Sequence, residues 1–326
     1  MRIRQRSAAA VGFIVLSVVL ALAGCSQGSS TSADANGTVN LKVALSPSAG
    51  TAAPIYYGAK NGIYAKHGLN VELNQTTDGS VVVPQIMSGQ LQFAMTSFES
   101  YLNALTQGLP VQMTGAANLL RSGEYSGVIV PAKNPPADMS AVKVFAVQDS
   151  ARNPQMQLVA EGLKGNYANM EMLQVPFGSI ADTVASGAAG AGFLIQPFLG
   201  QALARGDVKL LSYVDDSLTV PGAPGAIFIA NTQYLGQNSD IAKRFIAATQ
   251  EALSYSAAHK DEISAFTKSA GLTDNAIAPA NLPAYPEKPV ALTAVQKLAK
   301  LYSDGKYINA EPAVEKLAWR DGGGFS

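Results

Sequence analysis

Cysteine, histidine and tryptophan are nearly missing from this 326-residue chain: one Cys, two His and one Trp, at Cys25, His67, His259 and Trp319. A single thiol excludes structural disulfides, cysteine-bearing zinc clusters and a Cys–His nucleophile pair by count. Charge is also scarce, at 14% of residues, with 23 basic and 23 acidic side chains. No basic stripe marks a nucleic-acid binder. Hydrophobic residues, at 48%, are plentiful. From Val39 onward this is the composition of a folded, well-packed globular body, long enough for one large or two ordinary domains.

The beginning of the chain reads differently. Arg2, Arg4 and Arg6 precede an apolar run from Ala8 to Ala23 that closes in Leu22-Ala23-Gly24-Cys25. A basic head, an apolar middle and a small-residue cleavage site describe a secretory signal, and the run is short of the ~18 residues a membrane span needs. The segment resembles a bacterial lipoprotein signal with its lipobox. That resemblance implies that residues 1–24 are removed and that Cys25 becomes the first mature residue, lipid-modified and anchored at the outer face of a membrane. Residues 25–38 then form a tether: Ser26 to Thr38 has no large apolar residue and buries too little to offset chain entropy. Fully extended it reaches about 40–45 Å, at ~3.3–3.6 Å per residue. Cleavage takes three arginines and no acid, leaving 20 basic against 23 acidic residues, a net charge of about −3.

An internal echo divides the body. Gly79-Ser80, Ser88-Gly89, Phe98, Gln107-Gly108 and Val111 recur as Gly178-Ser179, Ser186-Gly187, Phe198, Arg205-Gly206 and Val208. Each copy predicts a helix from Gly-Ser to Ser-Gly, a strand (91–95; 190–195), a second helix ending at Gly108 or Gly206, and another strand. Alternating strands and helices of this length predict α/β units with a mostly parallel sheet in each lobe. Around the repeat, 40–45 and 71–73 read as strands and 54–66 as a helix stopped by Gly68. The strand-like segments 125–130 and 142–147 flank the turn-rich stretch 131–139, a candidate first crossover; 220–230, through Pro221-Gly222-Ala223-Pro224-Gly225, is the second. Helices are expected over 239–258 and 292–302. The second lobe, 126–225, is thus inserted between the halves of the first, 39–125 and 226–326.

Several stretches then carry a family resemblance. Pro54-Ile55-Tyr56-Tyr57-Gly58-Ala59-Lys60-Asn61-Gly62-Ile63-Tyr64 with His67-Gly68-Leu69-Asn70-Val71-Glu72 is similar to the opening of substrate-binding proteins of ABC transporters in the nitrate, sulfonate, taurine and thiamine-precursor group. Gln85 to Ala94 resembles that family's strand entry, with Gln92 where Asp is usual. Gln196-Pro197-Phe198 resembles its Glu-Pro-Phe, and Tyr234 to Phe245 its late helix. The resemblance spans most of residues 39–265. It implies a two-lobed periplasmic-binding-protein-like fold (type II) with two hinge crossovers, and an extracytoplasmic protein that captures a small solute between its lobes for an ABC permease and ATPase. A small organic anion or zwitterion, sulfonate- or taurine-like, is the favoured solute; a thiamine-precursor pyrimidine, or a sensing role, is the alternative. No catalysis, metal or cofactor is implied, and a monomer is expected.

Enzymatic readings fare worse. Gly187-Ala-Ala-Gly190-Ala-Gly192 looks like a dinucleotide fingerprint, yet it ends a predicted helix and opens a strand, the reverse of what phosphate binding needs. A relative that makes the thiamine pyrimidine uses a cysteine-rich stretch absent here. His67, in the last turn before Gly68, is placed to meet the helix dipole. Helix N-termini offer unpaired N–H groups to a solute, and small residues allow close approach. The candidate contacts from the first lobe are Gly50 and Thr51 in the loop 48–51, Asp78, Gly79, Ser80, Thr96, Ser97 and Asn118. From the second they are Ser150, Arg152, Asn153, Phe177 and Gln196. For Ser80 and Ser179 simple N-capping competes with ligand contact. Phe98 and Phe198 suit the core, and Gln196 could equally be a hinge hydrogen-bonder.

Overall fold

The computed structural model of the protein describes residues 37–76, 81–120, 125–148, 154–214, 220–273, 276–308 and 311–326. All lie within one compact unit, Thr31–Ser326. Among them no helix is long and apolar enough to cross a membrane. Of the expected signal (1–24) and tether (25–38), residues 1–36, Cys25 included, fall outside the described residues.

The chain runs from β1 (Val39–Leu45) through α1 (Ala49–Lys60) and α2 (Ile63–Lys66) to β2 (Leu69–Gln75), α3 (Val82–Met87), β3 (Phe93–Ser97), α4 (Phe98–Thr106) and β4 (Val111–Ala116). Then come β5 (Ser126–Pro131), β6 (Val144–Val147), α5 (Pro154–Gly162), β7 (Glu171–Gln174), α6 (Phe177–Ala185), β8 (Ala191–Ile195), α7 (Phe198–Arg205) and β9 (Val208–Tyr213). It finishes with β10 (Ala226–Asn231), α8 (Thr232–Gln237), α9 (Ser239–Ala258), α10 (Lys260–Ser269), α11 (Leu292–Asp304) and α12 (Val314–Leu317). Two five-stranded sheets result, ordered β2-β1-β3-β10-β4 and β7-β6-β8-β5-β9. In each, four strands point one way and one runs against them: β10 is antiparallel to β3 and β4, and β5 to β8 and β9. The likeness of the two sheets extends to an irregularity: the reversed strand of each carries a register shift, between Phe228 and Ile229 in β10 and between Val128 and Ile129 in β5.

Apolar side chains cover both faces of each sheet. On the first, α3, α4 and α11 pack Val82, Ile86, Phe98, Leu102, Leu298 and Tyr302 together, while α1, α2 and α9 close the other face. There the Phe93 ring stacks on Phe245 at 3.9 Å between centroids. On the second sheet α5 covers one face, with Met156 and Val159, and α6 and α7 the other. Trp319 belongs to the first-sheet core.

Several expectations change. The first crossover lies between β4 and β5, where 117–120 and Tyr125 are described, because the segment before Met139 joins β5 to β6 within one sheet. The second Gly-Ser pair does not start its helix: α6 begins at Phe177, which puts Gly178 and Ser179 inside its first turn behind the N-cap Pro176, while α3 is described from Val82. Ser80 itself lies outside the described residues.

The helix expected from Pro54 starts five residues earlier, at Ala49, with Pro54 inside it. Proline has no N–H to give the carbonyl four residues back. That carbonyl is Gly50's, and the Tyr285 hydroxyl donates to it at 2.6 Å. A tyrosine 235 positions away thus repairs the gap and makes the early start tolerable.

Candidate functional site

Four helices begin just past the carboxyl end of a parallel strand, with no more than three residues between: α1 after β1, α4 after β3, α6 after β7, α7 after β8. Their N-terminal N–H groups are therefore gathered along the carboxyl edge of each sheet, where open α/β sheets bind ligands. The crossovers tie the two sheets together. Segments 117–120 and 220–225 run side by side: Leu120 N–H donates to Ala223 O (2.7 Å), Gly222 N–H to Leu120 O (3.1 Å) and Gly225 N–H to Asn118 O (3.0 Å). A third segment joins them through Leu119 N–H to Ala284 O (2.8 Å).

This hinge absorbs one candidate contact. Asn118 is 5% exposed, and its Oδ1 accepts the Ala226 N–H at 2.6 Å. It staples the crossovers together at the point where β10 begins.

Four other groups meet between the lobes. Ser48 Oγ donates to the Gln196 carbonyl at 3.2 Å, and Thr51 Oγ1 donates to Ser48 Oγ at 3.3 Å. Thr51 Oγ1 also shares a 3.0 Å hydrogen bond with the Tyr125 hydroxyl, and Gln196 N–H donates to Tyr125 O at 2.8 Å. Gln196 Oε1 accepts the Gly200 N–H, so its side chain caps the first turn of α7. Ser48, Thr51 and Gln196 are 0, 2 and 5% exposed. Burial pushes the Tyr125 phenol up, with the Thr51 and Ser48 hydroxyls offsetting part of the rise. The Tyr285 phenol is held well above its ordinary value by burial and by nearby Tyr125. The assembly is neutral, made of hydroxyls, amides and carbonyls.

The other expected contacts divide. Ser97 accepts the Ser100 N–H at 3.2 Å as the N-cap of α4. Thr96 is buried in β3, opposite Ile227. The Phe177 ring stacks on Phe198 at 5.4 Å, so these aromatics pack on each other against the second-sheet core, while Phe98 is core at 1% exposure. Gln92 stands at the amino end of β3, remote from the carboxyl edge, and accepts the Lys42 N–H; its neutrality has no bearing on the site. His67 caps the end of α2 and pairs with Glu251 at 3.0 Å. Asp78, Gly79, Ser80, Ser150, Arg152 and Asn153 lie outside the described residues. Among the described residues no group of three or more His, Cys, Asp or Glu could hold a metal ion.

Sequence reasoning missed Tyr125, Tyr285 and Glu99. Glu99, in the first turn of α4, is 6% exposed and accepts a hydrogen bond from the Tyr302 hydroxyl. Burial raises its carboxyl above the ordinary range, against the lowering effect of Tyr302 and Ser97. An acid two positions behind a serine cap was the available signal for Glu99; nothing local marks the two tyrosines.

Two α/β lobes joined by paired crossovers define the periplasmic-binding-protein fold. Solved structures agree: the ligand-binding component of an ABC-type import system from Staphylococcus aureus, with zinc bound, superposes with a TM-score of 0.73 at 13% identity over 86% of this chain and 96% of that one. The periplasmic aliphatic sulphonate-binding protein SsuA from Escherichia coli gives 0.67 at 15% identity, over 86% and 92%. Residues 50–263 match the sequence model described as NMT1/THI5 like, and the chain belongs to that family. In sequence it is 24% identical over 208 residues to a Bacillus subtilis protein that carries the name putative binding protein YtlA, spanning 61% of each chain. It is 23% identical over 258 residues to the formylaminopyrimidine-binding protein of Halalkalibacterium halodurans, over 77% of this chain and 76% of that one. The fold is the one these ligand- and sulphonate-binding proteins share, and the family is the NMT1/THI5-like one.

Proposed function

We propose that the protein is an extracytoplasmic solute-binding lipoprotein, tethered through Cys25, that takes a small organic anion or zwitterion between its lobes and delivers it to an ABC permease and ATPase. Residues 39–125 with 226–326 act as one lobe and 126–225 as the other, in a monomer. The observation that carries this reading is the placement of α1, α4, α6 and α7, whose N-termini open at the carboxyl edges of two hinged sheets. Dipoles and free N–H groups there favour negative charge. Neutral Gln196 adds no opposing charge at the start of α7, and the likeness in fold to a sulphonate-binding protein supports a sulfonate- or taurine-like solute. A pyrimidine is the second reading, favoured by the sequence match to a formylaminopyrimidine-binding protein.

A thermal-shift series with alkanesulfonates, taurine, nitrate and formylaminopyrimidine tests both. A solute at a hundred times its Kd adds about 2.7 kcal/mol of stability. A rise in Tm with the sulfonates supports the first reading and a rise with the pyrimidine alone the second. No rise with any of them removes both.

A further inference from the structure

Ser48, Thr51, Tyr125 and Gln196 were candidates, or neighbours of candidates, for touching the solute, yet their polar atoms are bonded to one another. Ser48 and Thr51 belong to the start of α1 on the first sheet; Gln196 follows β8 on the second, and Tyr125, the last residue before β5, is held to that second sheet by accepting the Gln196 N–H. Ser48 Oγ to Gln196 O therefore crosses from lobe to lobe, and Thr51 Oγ1 to Tyr125 Oη ties the first lobe to the crossover residue that the second sheet holds. Both sides are braced. Tyr285 holds the α1 end through Gly50 O, and the Gln196 side chain is fixed on the Gly200 N–H. The lobes also approach at a second place, where a Cβ added to Gly305, just past α11, would come within 3.0 Å of Pro154 Cγ at the start of α5.

We infer that this quartet is a clasp that closes the lobes before any solute arrives. Resting on the two-lobed solute-binding reading, it assigns these residues to the closing equilibrium. Hydroxyls that would be solvated in an open cleft are buried and paired only when the lobes meet, so each bond favours the closed state alone. A solute that needs the open form to enter then binds with an apparent affinity scaled by the open fraction. The receptor would be tuned by residues that need not touch its cargo.

The test uses small-angle scattering of the solute-free protein. Wild type should give the radius of gyration of the closed form. Thr51→Val with Tyr125→Phe removes both partners of one bond, leaving no hydroxyl stranded, and should expand the particle while far-UV circular dichroism stays unchanged. Ser48→Ala, which removes the other bond and adds no bulk, should expand it as well and serves alone if the double variant does not fold. A solute-free wild type that is already open overturns the clasp, as do folded variants that scatter like wild type. No solute enters the measurement, so a protein that ignores every sulfonate and pyrimidine can still show the clasp, and a true receptor can still lack it.

Discussion

Gly192→Ala probes how closely α6 lies on the second sheet. In the repeat Gly192 stands where the first sheet has Ala94: Ala94 pairs with Ala44 on β1 and Gly192 with Ala146 on β6. Ala94 shares its core with Val82 and Ile86 of α3. At the same spacing α6 presents Ile180 and Val184 to Gly192. The first copy accommodates a methyl group at this point and the second does not. A Cβ at 192 would stand 2.5 Å from Ile180 Cγ2 and 2.9 Å from Val184 Cγ2. Carbon atoms rest about 3.5–4.0 Å apart, so both contacts fall well inside repulsion. Neither atom can swing away, because β-branched side chains in a helix have one favoured rotamer. Lifting the helix or straining both side chains costs about 1–3 kcal/mol. With a urea m-value of about 3 kcal/mol/M, the unfolding midpoint falls by roughly 0.3–1 M. Gly190→Ala is the control: its nearest neighbour is Val142 Cγ1 at 3.4 Å, ordinary contact, and its midpoint should stay near wild type. Equal midpoints for wild type and Gly192→Ala, or an equal loss in both variants, would refute the packing argument.

Two further outcomes are expected. Cys25→Ser should move the protein from the membrane fraction to the soluble fraction with an unchanged melting curve, because the proposed anchor residue precedes the folded body in sequence; a variant that stays membrane-bound sinks the lipoprotein proposal. Glu99→Gln should keep an acceptor for the Tyr302 hydroxyl and remove a buried ionisable group. Burial raises the Glu99 carboxyl in the folded chain. Its contribution is therefore fully present below its unfolded pKa and lost as pH rises through the folded one, at about 1.4 kcal/mol per pH unit across that window. Melting curves of wild type and variant should diverge above the ordinary carboxylate range, in the variant's favour; parallel curves would place the titration elsewhere.

Much of the architecture was legible because it is written twice. Gly-rich punctuation at matched offsets predicted two sheets, and α9 was read at its true limits, Ser239–Ala258, from a continuous apolar stripe. What failed was information held far away in the chain. Residues 48–51 are small and carry little periodic contrast, so they read as a loop; a helix from Ala49 depends on Tyr285 supplying the donor that Pro54 lacks. The first crossover was misplaced because the turn-rich residues before Met139 look like a linker, whereas β5 has to turn back within its own sheet to pair with β8 and β9. At the site, helix N-termini were readable from the strand-helix order. That Ser48 and Thr51 engage Tyr125 and Gln196 was not, since no local spacing relates residues of separate lobes.

The reversed strand in each sheet bears on the order in which the molecule can be completed. All five strands of the second sheet lie between Ser126 and Tyr213, so that half holds everything it needs in one stretch of chain. The first sheet does not. Its first four strands leave a vacant slot between β3 and β4 that only Ala226–Asn231 can fill. Until that strand is made, two backbone edges in the middle of the sheet stay unpaired, the kind of surface that captures strands from other chains. The half that starts the polypeptide is therefore the last to be finished, and a chain stopped just after Tyr213 would keep the second sheet whole while leaving the first split down its middle.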